Sequence, residues 1–253
     1  YGITYEGHVQ NKGWMDAVTT IGEKTDITLA SEAGTNGQGL RVEALKLSGT
    51  NLPAGASITY QAHVQNKGWM PAVTTTGNVA IDAAAEAGTD GQGLRVEAFK
   101  ITLKGLPGYA VNYETHVQNK GWMPAIQTAN GTEISLAPEA GTHGLGLRME
   151  ALRIEIIKTE TEKAAEITAI NAVTKAETTN ATTDITAATV VVHNVAATAE
   201  KTSLTNRITN INDVAVNSVG AINDINVAYG TTKDKVGLPS KVTLKLSNSN
   251  SED

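Results

Sequence analysis

The heptapeptide His-Val-Gln-Asn-Lys-Gly-Trp occurs three times, as His8 to Trp14, His63 to Trp69 and His116 to Trp122, at intervals of 55 and 53 residues. A second block keeps step with it. Glu32-Ala33-Gly34-Thr35, followed by Gly37 and Gly39-Leu40-Arg41-Val42-Glu43-Ala44, returns at 86–98 and 139–151. Triplication constrains the fold more than any other feature. A unit of this size exposes an apolar face and unpaired strand edges that only its neighbours can cover, so the copies are expected to build one domain together.

Each unit has the period of strands. Tyr5, Gly7 and Val9 alternate with Glu6, His8 and Gln10, and Tyr60, Ala62 and Val64 repeat the pattern. Beyond the Gly-rich block, Leu94, Val96 and Ala98 alternate with Arg95 and Glu97, and the apolar set then changes phase to Phe99, Ile101 and Leu103. A one-residue slip turns a strand over, so a bulge or a crossing is expected near Ala44, Ala98 and Ala151. Turns at Leu52-Pro53-Ala54-Gly55 and Leu106-Pro107-Gly108 divide the region into units of about 1–55, 56–109 and 110–157. The expected fold class is mainly β, a threefold pseudosymmetric closed all-β domain over 1–157. A β-trefoil satisfies it, favoured by the strand that changes apolar phase, and a β-prism is the alternative.

After Ile157 the period becomes helical. Ile167, Ile170 and Val173 lie in one segment, Ile185, Ala188, Val192 and Val195 in a second, and Leu204, Ile208 and Ile211 in a third. A three-helix spacer module over 158–217 is expected, with Thr183 or Asp184 capping the second helix and Thr198 the third. From about Ser218 the period returns to two, at Ile222, Ile225, Val227, Val242, Leu244 and Leu246. The polar tail from Ser247 carries no strand pattern. Residues 218–253 are too few for a whole β-sandwich.

Composition excludes several functions. The net charge is −6 with no basic stripe, which argues against nucleic acid as a partner. Cysteine is absent, removing disulfides, thiol catalysis and Cys-type zinc sites. No apolar run reaches the length of a membrane span. The opening Tyr1-Gly2-Ile3 falls straight into a strand, so the chain is read as a piece of a longer protein.

The candidate ligand-binding residues are His8, Gln10 and Trp14, His63, Gln65 and Trp69, and His116, Gln118 and Trp122, with Arg41, Arg95 and Arg148. Two readings stand for the tryptophans. An indole face stacks on a sugar while His and Gln exchange hydrogen bonds with it. Core packing is the other reading, and the favoured one, because Phe99 is the single Phe of the chain. Arg41 with Glu43, Arg95 with Glu97 and Arg148 with Glu150 share a strand face, either as an ion-pair belt between units or as a polar groove for ligand. Three equivalent histidines raise the thought of zinc, but no paired-His motif accompanies them, so neither a metal nor a cofactor is expected. The Gly-rich blocks precede strands rather than helices, which removes the helix terminus that a phosphate cradle uses. Triplication delivers like surfaces, whereas catalysis needs unlike groups in fixed roles, so an enzyme is not expected.

Tyr-x-x-His-Val-Gln-Asn-x-Gly-Trp, with Ala-Gly-Thr-x-Gly-x-Gly-Leu-Arg-x-Glu-Ala after it, resembles the clostridial hydrophobic repeat with a central Trp, the ChW repeat. The resemblance spans 1–157. Lys12, Lys67 and Lys120 depart from it, standing where an aliphatic residue is usual, as do Ala17, Ala72 and Ala125, where a second Trp is common. Val219 to Leu246 is similar to the opening of a bacterial Ig-like domain, with Tyr229-Gly230-Thr231 and Leu238-Pro239 as matching points. These resemblances imply an extracellular binding or adhesion module on a Gram-positive cell surface, with a polysaccharide or cell-wall glycan as partner. The alternative is a structural scaffold, or a module that binds another surface protein.

Overall fold

A computed structural model of the chain describes residues 1–196, 198–212, 216–219, 229, 244–246 and 251–252. The chain divides into two compact units, Tyr1–Ala164 and Ala165–Asp253. It is mainly β, with three antiparallel sheets followed by three helices.

The first repeat holds β1 (Gly2–Val9), β2 (Gly13–Trp14), β3 (Val18–Ile21), β4 (Glu32–Gly34) and β5 (Val42–Thr50). The second holds β6 (Ser57–Val64), β7 (Gly68–Trp69), β8 (Val73–Thr76), β9 (Glu86–Gly88) and β10 (Val96–Lys104). The third holds β11 (Tyr109–Val117), β12 (Gly121–Trp122), β13 (Ile126–Ala129), β14 (Ala140–Gly141) and β15 (Met149–Lys158). In each repeat the first strand is central, flanked by the long last strand on one side and by the two short strands on the other.

The fifth strand of every sheet comes from a different repeat. β9 pairs with β5, β14 with β10 and β4 with β15, so each repeat lends one strand and receives one. Close approach at these joints explains a glycine. Gly88 has φ +125°, and a Cβ there would lie 2.5 Å from the Glu43 carbonyl oxygen and 2.6 Å from the Ala44 Cα. The three sheets are separate, and among the described strands no single barrel closes.

The expected phase change is a register shift. His8 pairs with Ala44 but Val9 with Val42, leaving Glu43 as the extra residue, and Glu97 and Glu150 repeat this. One continuous core unites the repeats, and its largest buried side chains are Tyr5, Tyr60, Tyr113 and Phe99. Core packing of the tryptophans is therefore corrected. Trp14, Trp69 and Trp122 are only half-buried, and the tyrosines of the preceding strands fill the interior instead.

The second unit continues α1 (Glu160–Thr179) and adds α2 (Thr182–His193) and α3 (Ala199–Asn212). Its core is Ala169, Val173 and Ala176 against Ala188, Val192, Val195, Leu204 and Ile208. The expected face of α1 needs correction, because Ile167 is 60% exposed and Ile170 36%. Small residues at i, i+4 and i+7 let the helices approach closely, and the larger isoleucines fall outside that stripe. α2 begins at Thr182 after Ala181, which offers no side-chain cap, so Thr183 and Asp184 lie inside its first turn. Thr198 does cap α3, accepting the Lys201 N–H at 3.3 Å. A three-stranded antiparallel sheet joins β16 (Val216–Val219), β17 (Leu244–Leu246) and β18 (Ser251–Glu252). β18 corrects the expectation of a strandless tail. Ile222, Ile225, Val227 and Val242, and with them most of the Ig-like segment, lie outside the described residues. Among the described residues no helix is long and apolar enough to cross a membrane.

Candidate functional site

The heptapeptide is a β-hairpin. Val9 faces Gly13 and His8 faces Trp14, with the Lys12 N–H donating to the Val9 carbonyl across the turn. Asn11 has φ 62° and Gly13 φ 76°, conformations that Asn and Gly adopt at least cost. The recurrence of Asn and Gly thus follows from the turn. Its product is a Trp held across from a His.

His8 and Trp14 meet edge to face with centroids 5.4 Å apart, His63 and Trp69 at 5.3 Å, and His116 and Trp122 at 5.5 Å. The bulge brings a glutamate to the same place. Glu43 accepts from Arg41 Nε at 2.8 Å through one oxygen, and its other oxygen stands 3.2 Å from His8 Nδ1. Glu97 and Glu150 hold Arg95 and Arg148 at 2.9 Å, and stand 3.3 and 3.1 Å from His63 and His116. The histidine nitrogens lie close to these oxygens, yet their direction is not that of a hydrogen bond. Each glutamate is about 5% exposed, with values of 5%, 5% and 4%. Burial of that depth requires the cationic partner that each arginine supplies. The Arg and Glu pairs therefore lie within units, which corrects the belt between units.

A second cation lies over each indole. Lys46 Nζ is 4.4 Å from the Trp14 centroid, Lys100 Nζ is 4.7 Å from that of Trp69, and the Arg153 guanidinium is 3.8 Å from that of Trp122. The sequence carried a signal for these residues, since a cation follows the bulge glutamate by three positions in every repeat. Gln10, Gln65 and Gln118 sit in the hairpin turns, half-buried, with backbone N–H groups on the Arg41, Arg95 and Arg148 carbonyls at 3.0 Å.

Each cluster is completed by the Gly-rich block of another repeat. Thr89 N–H donates to the Glu43 carbonyl at 2.9 Å, and a Cβ on Gly93 would lie 3.4 Å from Arg41 Nη2. Gly146 stands in the same way beside Arg95, and Gly39 beside Arg148. The glycines leave the guanidinium groups uncovered by any side chain at that position. His8, His63 and His116 lie on three different sheets, one in each cluster.

The family model for clostridial hydrophobic W repeats matches residues 8–51, 63–105 and 116–158. The chain belongs to the ChW family. ChW repeats are found in bacterial surface proteins. The three matches begin at His8, His63 and His116, the histidines of the three clusters. No curated protein and no solved structure matches the chain.

Proposed function

We propose that the ChW region is a non-catalytic, extracellular binding and adhesion module of a bacterial surface protein, and that it holds a polysaccharide or cell-wall glycan. The observation that carries this reading is the half-buried indole, set outside the core on the polar sheet face, with a His at its edge and a cation over it. An aromatic surface with fixed donors and acceptors is what a sugar ring requires. Three like sites in one compact unit favour a polymer, because weak sites gain avidity when their spacing matches the ligand. In the same reading the three sheets are the sides of a prism about a pseudo-threefold axis, the helices are a spacer, and 218–253 is part of an Ig-like domain.

Glycan arrays and pull-downs with insoluble peptidoglycan and cellulose test this on the full chain. Binding that is lost when Trp14, Trp69 and Trp122 are all changed to Ala, in a chain that still folds by near-UV circular dichroism, supports it. Failure to bind any glycan overturns it.

A second reading has its own observation, the cation already lying over each indole. If those cations serve only to fix the tryptophans, the region is a scaffold or a surface for another protein. Single Trp to Ala changes that lower the melting temperature and leave glycan binding untouched favour the scaffold.

A further inference from the structure

The three sites differ in how the cation over the indole is neutralised. Arg153 has two carboxylates, Glu114 at 3.0 Å and Glu32 at 3.3 Å. Lys46 has one, Glu6 at 3.5 Å. Lys100 has no carboxylate within ion-pair distance among the described residues. The cause is one position in the sequence. Gln61 stands where the other repeats have Glu6 and Glu114, and its amide donates to the Met70 carbonyl at 2.7 Å.

The acid just before the lent strand β14 does not replace it. Glu139 is paired with His143 Nδ1 at 2.6 Å. His143 in turn brings its ring to 5.1 Å from His63 and 6.2 Å from Trp69. At the equivalent position of their Gly-rich blocks the other two repeats have Asn36 and Asp90. The second site therefore combines an indole, a half-buried ammonium without a counter-charge and two imidazoles.

We infer that the Trp69 site recognises an anionic glycan, with the sugar ring against the indole and its acidic group, carboxylate or phosphate, on Lys100. This rests on the reading of the sites as glycan-binding. Lysine suits the task because its ammonium is a compact charge with three donors, and a charge-assisted hydrogen bond is about twice as strong as a neutral one. The Trp14 and Trp122 sites already supply the counter-charge from Glu6 and Glu114, so an added anion meets repulsion there.

The test uses the full chain with polygalacturonate as the carboxylate probe, poly(glycerol phosphate) as the phosphate probe and cello-oligosaccharides as the neutral probe. Anionic binding is expected to weaken as salt rises. Gln61→Glu is expected to lower anionic affinity by about fivefold or more, since it restores a carboxylate beside Lys100. Lys100→Gln should do the same without adding an acid, and Glu6→Gln, which frees Lys46, should raise anionic affinity. Neutral binding should stay level in Gln61→Glu. Binding of one anionic probe and not the other supports the inference and identifies the acid. Neutral binding with both anions refused, or anionic affinity unmoved by Gln61→Glu and Lys100→Gln, overturns the inference and leaves the glycan reading standing. Refusal of all three probes overturns both.

Discussion

The Leu47 backbone N–H donates to the Tyr60 hydroxyl at 3.2 Å, tying a strand of the first repeat to the core aromatic of the second. The bond recurs from Ile101 to Tyr113 at 3.4 Å and from Ile154 to Tyr5 at 3.2 Å. Each hydroxyl also donates to a carbonyl of its own repeat, that of Ser31, Ala85 or Pro138. β9 stops at Glu86 opposite Lys46, so the next N–H along β5 has no strand to meet. Tyr60 supplies the missing acceptor. Tyr60→Phe leaves that N–H and the Ala85 carbonyl without the hydroxyl, and is expected to cost about 1–3 kcal/mol, read from the shift of a urea midpoint.

The same phenols give stability a dependence on alkaline pH. Burial holds Tyr5, Tyr60 and Tyr113 above the ordinary value of 10.0. The unfolded chain then loses these protons first and binds fewer of them than the native state. Through these groups stability is fully present below about pH 10 and falls as pH rises through the raised native values. Urea midpoints measured up through that range should decline, and the decline should be shallower in Tyr60→Phe.

Aromatic residues at the sheet margin and in the core should respond differently to truncation. Trp69→Ala removes a half-buried ring and its contacts with His63 and Lys100, with an expected cost of about 1–2 kcal/mol and retention of fold. Tyr60→Ala opens the core and should cost about 3–5 kcal/mol. Thermal melts with near-UV circular dichroism separate the two.

Gly88→Ala tests the lent strand. Positive φ and a Cβ only 2.5 Å from the Glu43 carbonyl oxygen leave no room for a methyl group, so β9 must withdraw from β5. A loss of about 3 kcal/mol or more is expected, along with faster amide exchange at Leu45, whose strand partner across this joint is Ala87.

Much of this architecture is legible in the sequence. Period two locates the long strands, and the change of apolar phase marks the bulge because an extra residue must reverse a strand's faces. Asn-Lys-Gly carries the hairpin's turn, a signal that the strand period alone passes over. Strand exchange is not, since Glu32–Gly34 is three residues long and a segment that short has no period to detect. Its partner is set by tertiary geometry rather than by neighbours in the chain. The role of the tryptophans failed for a related reason. Residue size suggested burial, whereas the short β2 and β7 carry Trp14 and Trp69 to the sheet margin, and Tyr5 and Tyr60 occupy the interior. In α1 the isoleucines drew attention from Ala169 and Ala176, although close helix contact favours the smaller side chains. Lys100 and its missing partner were visible as a Gln among glutamates, but only the geometry gave that difference a meaning.

The exchange of strands also bears on how such a protein can change its length over generations. If one repeat were deleted, a strand would be left with no sheet to join and a sheet would lack its outer member. A duplicated repeat would bring both a strand to lend and an edge to fill, and would have to be let into the cycle of exchanges. Gain or loss of a repeat therefore means re-pairing strands across the set of three rather than adding or removing a self-contained unit. A change within a repeat disturbs no such exchange, and Gln61, where the other repeats carry Glu6 and Glu114, is a difference in chemistry within an unchanged set of strands.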